Sequence, residues 1–220
     1  MQNRELTVKG VGKVSVAPDL IVLVMKLETT ETEYEQTMRC ASAHIDALSA
    51  AIVSAGHDSK KLKTTDYHIG MKHEEYKETD TWEKRFIGYS CTHELSLEFD
   101  FDMEKLDITI GAIAMCEANP NFDVKFSVKD HDAVSEQLLE KAIENATWKA
   151  TVLARAANVN LGAIQRIDYN WGELHLYSET KVVSGKIRRP NIRETIGMGS
   201  VIEPENVKLS DTATIVWAIE

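Results

Sequence analysis

The sequence predicts an α+β fold, in which a largely antiparallel β-sheet carries about three helices on one of its faces. Segments with alternating apolar residues are joined mostly by turns, which is typical of antiparallel strands. Two long segments instead repeat apolar residues every three or four positions, as amphipathic helices do. The chain has 220 residues, 43% hydrophobic and 27% charged, as in an ordinary globular protein. We predict a single domain over 1–220, with a long irregular loop at about 171–206.

Glycines leave part of one face of the first predicted strand without side chains. Its even-numbered positions share one face and read Val8, Gly10, Gly12, Val14 and Val16. Two neighbouring positions without side chains let another backbone come close to that face. Pro18 and Asp19 favour a turn, and the apolar run 20–27 is typical of a buried strand. We therefore predict that the chain opens with a tight hairpin.

The following segment has the clearest helical pattern in the chain. The letters T-E-T-E at 30–33 predict a capping box at its start. Its apolar stripe is spaced by three and four residues and consists of Tyr34, Met38, Ala41, Ile45, Leu48, Ile52 and Ala55. Gly56 is predicted to end the helix as a C-cap.

The middle of the chain predicts three strands and a short helix. Residues 62–71 and 85–101 form two strands in this interpretation, joined by the charged stretch 72–84. In the second strand one face is made by His93, Leu95, Leu97 and Phe99. Asp102 is predicted to cap the short helix, and residues 122–128 alternate as a further strand.

A second long helix is predicted from about Asp132 to Asn158, with Asp130 or Asp132 as its cap. Its predicted inward face is mostly alanine and consists of Leu139, Ala142, Ala146, Ala150, Leu153 and Ala157. Small residues allow a helix to lie close to a sheet or to another helix. Strands are predicted at 163–170 and 207–219, and the segment 171–206 between them is the least regular part of the chain.

Charge and cysteine content argue against several functional classes. A net charge of -10 is unfavourable for binding nucleic acid or an anionic membrane surface. Cys40, Cys91 and Cys116 lie far apart without a C-x-x-C pair, so we interpret them as buried apolar side chains in a reducing compartment. The polar start at 1–9 does not resemble a signal peptide. We predict a cytoplasmic protein, exported only if a leader precedes this sequence.

Several separated motifs together resemble the SIMPL-domain family, a bacterial family of unknown function. The first is G-V-G-K-V-S-V-A-P-D at 10–19. The others, in chain order, are Ala55-Gly56, the stretch 62–65, Gly88-Tyr89, the alanine-rich stretch 142–154, Leu161-Gly162, Ile202-Glu203-Pro204 and the stretch 212–217. Asn206 departs from the family, which often has glycine after I-x-P. The resemblance spans nearly the whole chain with its elements in order.

This resemblance implies an α+β domain without an agreed enzymatic activity, which often assembles into ring-like or channel-like oligomers. Many bacterial members are exported, whereas this sequence begins without an export signal. We assign structural roles to Gly10, Gly12, Pro18, Asp19, Gly56 and Gly88.

Candidate chemical sites are sparse. The pair Gly10 and Gly12 does not form a nucleotide-binding loop, because Ser15 replaces the third glycine and the motif enters a strand. His68, His73 and His93, with nearby Glu74, Glu75 and Glu94, are conceivable ligands of a divalent metal, although they lack a zinc-site spacing. The chain has no G-x-S-x-G motif. We assign no catalytic, metal-binding or cofactor-binding residue and predict no cofactor.

One segment reverses the sign of the charge. Lys181, Lys186, Arg188, Arg189 and Arg193 fall in a window without acidic residues, in a chain of net charge -10. This basic segment is predicted either to contact an acidic patch on a neighbouring subunit or another partner, or to be a solvated loop.

These observations favour a non-enzymatic, self-assembling structural or interaction protein whose partner is itself, without nucleic acid or membrane insertion. The main alternative is a metal-dependent enzyme that uses the histidines and carboxylates at 68–94. A third is a small-molecule binding module with a pocket between sheet and helices.

Overall fold

A computed structural model describes residues 4–78, 81–169, 174, 176–184 and 202–220. Its helices and mostly antiparallel strands confirm the α+β class. In chain order the elements are β1 (Glu5–Val16), β2 (Leu20–Glu31), α1 (Tyr34–Ser54), a 3₁₀ turn (Ser59–Lys61), β3 (Leu62–Glu78), β4 (Thr81–Asp100), α2 (Met103–Met115), β5 (Asn121–Ser127), α3 (His131–Ala156), β6 (Leu161–Tyr169), β7 (Val182–Ser184) and β8 (Val207–Ile219). None of the described helices is long and apolar enough to cross a membrane.

The strands form two sheets, and the chain divides into two compact units. The first unit comprises Met1–Asp19, Ser127–Glu179 and Glu205–Glu220, and the second comprises Leu20–Phe126 and Thr180–Pro204. The three-stranded sheet has the order β1-β8-β6, and the five-stranded sheet has the order β3-β4-β2-β5-β7. The single domain over 1–220 stays a prediction.

The predicted opening hairpin is wrong, because β1 and β2 belong to different sheets. β1 pairs antiparallel with β8 along its whole length, from Glu5 opposite Ala218 to Val16 opposite Val207. The turn residue Asp19 makes contacts elsewhere: its N–H donates to the carbonyl of Ser127 at 3.0 Å, and its carboxylate accepts from the N–H of Lys129 at 2.7 Å. These bonds hold the chain in a crossover between strands.

Helix α3 lies directly against the glycine face of β1. A β-carbon built on Gly10 would overlap the carbonyl oxygen of Ala142, and one on Gly12 would overlap that of Leu138. The buried stripe of α3 is spaced by four residues and consists of Val134, Leu138, Ala142, Ala146, Ala150 and Ala154. Two backbones therefore meet where both elements have small residues.

Part of the predicted inward face of α3 is wrong. The three alanines at 142, 146 and 150 are buried, whereas Leu153 is half exposed and Ala157 lies beyond the helix. The prediction alternated steps of three and four, but the observed stripe keeps to steps of four and so turns slowly around the helix. Asp130 is the cap, since its carboxylate accepts from the N–H of Ala133 at 2.9 Å.

The second unit has its own hydrophobic core, between one face of the five-stranded sheet and the helices α1 and α2. The core includes Ile21, Leu23 and Met25 of β2, Leu95, Leu97 and Phe99 of β4, Leu48 and Ile52 of α1, and Leu106, Ile110 and Ile113 of α2. The predicted alternation of β4 is observed, and Asp102 caps α2 through the N–H of Lys105 at 2.9 Å.

Three details of this unit differ from the prediction. The capping box at 30–33 does not form, because β2 continues to Glu31, and Glu33 at the N-cap makes no side-chain cap bond. The charged stretch 72–84 is mostly strand, since β3 extends to Glu78 and β4 begins at Thr81. The short strand β7 lies inside the segment predicted to be irregular and pairs with β5. Gly56 ends α1 with a positive φ of 84°, as a helix-terminal glycine does.

Gly12→Ala tests the close approach of α3 to β1. Because the new methyl group would overlap the backbone of Leu138, we expect a loss of about 2 kcal/mol or more in the free energy of unfolding. The matched control is Gly111→Ala in α2, where nothing lies within 4 Å and alanine favours the helix by about 1 kcal/mol. Urea unfolding followed by circular dichroism measures both. Equal effects of the two substitutions would contradict the described packing.

Candidate functional site

The predicted basic segment lies largely outside the described residues. Lys181 is described, precedes β7 and is exposed. Lys186, Arg188, Arg189 and Arg193 lie outside the described part of the chain. Their role as an oligomer or partner contact therefore stays a prediction.

The three histidines proposed as metal ligands lie apart. His68 pairs with Thr92, and His93 pairs with Tyr67, so His68 and His93 point to opposite faces of the sheet. His73 lies farther along the hairpin, opposite Phe86. Within the residues that the structure describes, no three side chains of the His, Cys, Asp and Glu types are grouped as metal ligands.

His93 is buried instead, and its ring contacts side chains of β3. Its Nε2 is 2.7 Å from the hydroxyl of Thr64, and its ring meets that of Tyr67 edge to face. Its Nδ1 is buried and has no hydrogen-bond partner in the described part of the chain. Because this environment disfavours a charged ring, burial lowers the pKa of His93 below its ordinary value.

His57 is a second buried histidine, and it follows α1. The hydroxyl of Thr109 donates to the carbonyl of Lys105 at 2.6 Å, so it accepts from Nε2–H of His57 at 2.7 Å. Burial, and then the positive charges of Lys105 and Lys61, lower the pKa of His57. Both histidines are therefore built into the core of this unit as neutral groups.

Large apolar side chains are exposed on the hairpin of β3 and β4. β2 accompanies β4 only as far as the pair Glu31 and Tyr89. Beyond that pair the hairpin continues as two strands alone, over residues 72–78 and 81–88, which we call the arm. A two-stranded ribbon is marginally stable in water by itself, so an arm of this kind gains most from a partner.

One face of the arm continues the face that α1 covers at its base. Residues directly opposite each other in the pairing share a face, and Cys91 and His93 are buried on this one. Farther out, the same face carries Met71, Phe86 and Trp82, which are 66%, 46% and 71% exposed. The core face of the sheet therefore extends past the helix that covers it. There the three apolar side chains share the face with His73 and with the exposed ion pair of Lys84 and Glu75 at 3.4 Å.

Aromatic rings order the base of this surface. Tyr34 at the start of α1 contacts Tyr89 edge to face at 5.6 Å, and Tyr89 contacts Phe86 at 5.4 Å. Gly88 has a φ of 144°, and a β-carbon there would overlap the carbonyl oxygen of Glu31. The pairing shifts register beside it, between Lys72 and His73. Gly88 thus permits the bend at which the arm leaves the sheet.

The opposite face of the arm is polar. Arg85 forms an ion pair with Glu74 at 3.0 Å and lies over the ring of Tyr76. The hydroxyl of Tyr76 donates to the carboxylate of Glu83 at 3.1 Å. The arm therefore has one polar face held by these contacts and one mixed face, on which exposed apolar side chains lie beside the ion pair of Lys84 and Glu75.

The first unit contains an open groove of about 750 Å³ beside β1, which offers room for the small-molecule binding alternative. Lys13, Lys141 and Trp148 line it. Asn145 and Lys149 also line it, but they bond to β1: Asn145 accepts from the N–H of Val11, and Lys149 donates to the carbonyl of Lys9, both at 3.0 Å. Two polar side chains of the groove thus already hydrogen bond to backbone groups at the edge of β1.

Residues 6–217 match the model of a family described as SIMPL, protein of unknown function (DUF541). The chain belongs to the SIMPL family. The match confirms the resemblance found in the sequence and runs through both units of this SIMPL chain. No curated protein matches the sequence. The family description names no activity.

The sequence prediction missed the arm of this SIMPL protein. The signal was the placement of Met71, Trp82 and Phe86 in and beside the charged stretch 72–84. Charged residues lie on both faces of the hairpin, so these strands show no apolar alternation, and only their pairing places the three side chains on one face.

The lowered pKa values predict that the folded chain loses stability in mild acid. The unfolded chain protonates both histidines near pH 6.5, whereas the folded chain keeps them neutral to lower pH. The unfolded state therefore binds more protons, and the free energy of unfolding falls as the pH falls from 6.5 through the lowered pKa values. Urea unfolding at several pH values measures the slope. His93→Gln should reduce it, with the exposed His68→Gln as control, and an unchanged slope in His93→Gln would contradict this account.

Proposed function

We propose that this SIMPL chain is a non-enzymatic, self-assembling structural or interaction protein, in which the arm contacts a second copy. The observation that carries the proposal is the exposure of Met71, Phe86 and Trp82 on one face of the arm, which they share with the ion pair of Lys84 and Glu75. Apolar residues grouped on one exposed surface mark interaction sites more often than single ones do. Trp, Met and Phe are also enriched at the centres of protein interfaces.

The charge of the arm supports a second copy as its partner. Copies of a chain with net charge -10 repel each other, so a contact between them is easiest at a neutral or basic surface. The arm has four basic and four acidic residues, namely Lys72, Lys77, Lys84 and Arg85 with Glu74, Glu75, Glu78 and Glu83. With Asp80 counted as well, the hairpin sequence 72–88 has a net charge of only -1, so two copies meet there with little repulsion.

The basic segment supports assembly in the same way. Its five basic residues, from Lys181 to Arg193, would attract the acidic surface of a neighbouring copy. In this proposal the arm supplies the apolar contact, and the basic segment lowers the electrostatic cost of bringing acidic chains together.

The first test is the solution mass of the untagged protein, measured by light scattering after size exclusion. We expect a discrete multimer at tens of micromolar, a concentration at which stable interfaces remain formed. The double variant W82S/F86S should shift the protein toward the monomer, because it removes two of the exposed apolar side chains. The matched control E83S/R85S changes neighbouring residues on the polar face and should retain the multimer. A monomeric wild-type protein would contradict the proposal.

Salt dependence tests the basic segment separately. Raising the salt concentration to about 1 M shortens the screening length to about 3 Å and should weaken the multimer. The variant R188E/R189E should be weakened already at low salt and should respond less to added salt. If the multimer keeps the same mass in the variant and in high salt, the basic segment does not contribute to assembly.

A further inference from the structure

The strand β6 forms an outer edge of the three-stranded sheet. All residues from 163 to 168 are exposed, and Ile164 and Ile167 are each 49% exposed. Helix α3 packs mainly on β1 and β8 and only slightly on β6. An uncovered edge strand with apolar residues is a surface on which another strand can pair.

The hydrogen-bond pattern shows which backbone groups of β6 point outward. The N–H of Val11 donates to Asn145, so the pair of Val11 and Thr212 is not hydrogen bonded. Hydrogen-bonded and non-hydrogen-bonded pairs alternate along antiparallel strands. Val8 lies three positions from Val11, so Val8 and Ile215 form a hydrogen-bonded pair. Ile215 therefore directs its N–H and C=O toward β1. Ile167, which lies opposite Ile215, therefore directs its own N–H and C=O away from β8.

The two residues beside Ile167 have opposite charges. Arg166 lies opposite Val216 and Asp168 lies opposite Thr214. In both pairs the backbone N–H and C=O groups of β8 point toward β6, so the pairs are hydrogen bonded. Their side chains lie on one face of the strand and form an exposed ion pair of 2.8 Å. The triplet Arg166-Ile167-Asp168 is thus basic, apolar and acidic in order. When a second copy of the triplet runs antiparallel to it, each basic residue faces an acidic one and the two apolar residues face each other.

We propose that β6 pairs antiparallel with β6 of a second copy, about a two-fold axis at Ile167. In this register the outward N–H and C=O of Ile167 bond to those of the second Ile167, giving a bonded pair about 5.5 Å apart between Cα atoms. Arg166 then lies opposite Asp168 of the other copy, twice by symmetry, in pairs whose side chains approach closely. The two three-stranded sheets become one six-stranded sheet.

The other edge of the same sheet does not offer this surface. On β1, Asn145 and Lys149 of α3 bond to the N–H of Val11 and the C=O of Lys9. On β6, no side chain in the described part of the chain bonds to the N–H of Ile167. The pairing of β6 with β8 is irregular between Leu161 and Arg166 and regular from Arg166 to Tyr169, so only this regular end of β6 can accept a second strand.

This inference rests on the proposed self-assembly and names a second contact within it. The test reverses one charge at a time, in R166D and in D168R, and measures mass by light scattering over a concentration series. In each variant two like charges face each other twice across the axis, so we expect the concentration for half-assembly to rise about tenfold or more. The control K208E reverses one charge of the exposed ion pair with Glu205 and should leave that concentration unchanged.

Mixing the two variants in equal amounts decides the register. R166D contributes two carboxylates and D168R contributes two cations, so an antiparallel mixed pair restores every contact and should recover the wild-type mass. Single variants that assemble like K208E would overturn the β6 contact while leaving the arm contact intact. Weakened single variants without recovery in the mixture would overturn the antiparallel register. A wild-type protein that stays monomeric would overturn the proposed function itself.

Discussion

The close approach of α3 to β1 determines how the first sheet is covered. Gly10 and Gly12 leave room for the helix backbone, and the alanine stripe of α3 fits that room. With the helix held there, Asn145 and Lys149 reach the edge of β1 and satisfy its polar groups. The same placement leaves β6 at the far edge with few contacts to α3, within the part of the chain that the structure describes. The contact between the glycines of β1 and the alanines of α3 therefore places side chains of α3 over the β1 edge and away from the β6 edge.

A similar mismatch between a sheet and its helix occurs in the second unit. Helix α1 begins at Tyr34, next to Tyr89, and it covers the sheet from that point toward the core. The hairpin of β3 and β4 continues beyond the first turn of the helix, so Met71, Phe86 and Trp82 are exposed there. In both units, then, apolar side chains of a sheet are exposed where a helix stops covering it. Exposed apolar surfaces of this kind support the proposed self-assembly.

Local patterns in the sequence predicted much of this fold. β8 matches the predicted strand 207–219, Asp130 and Asp102 cap the helices that follow them, and the alternation of β4 is observed. The glycines at 10 and 12 predicted that another backbone comes close, but the pattern could not tell which one. The capping box at 30–33 was overridden, because Thr30 pairs with Ser90 in the sheet and sheet pairing outweighs a local cap.

Pairing between distant strands was beyond such patterns. β1 and β8 are complementary along twelve pairs, yet nearly the whole chain separates them, and the closer β2 also read as a suitable partner for β1. The candidate surfaces depend on this pairing. The sequence does not show which backbone groups of Arg166, Ile167 and Asp168 are free to pair, because that depends on the hydrogen-bonded pairs between β6 and β8. Likewise, Met71, Phe86 and Trp82 formed one surface only when the register of the hairpin was known.

Hydrogen exchange measured as a function of protein concentration tests the central claim most directly, because it reports on backbone amides residue by residue. The claim is that the uncovered arm and the open edge of β6 are contacts between copies. It predicts that amides of the arm and the N–H of Ile167 exchange fast in dilute protein and slowly when the protein is concentrated. Amides in the core of each unit should change little. Exchange at both surfaces that is fast at every concentration would contradict the claim.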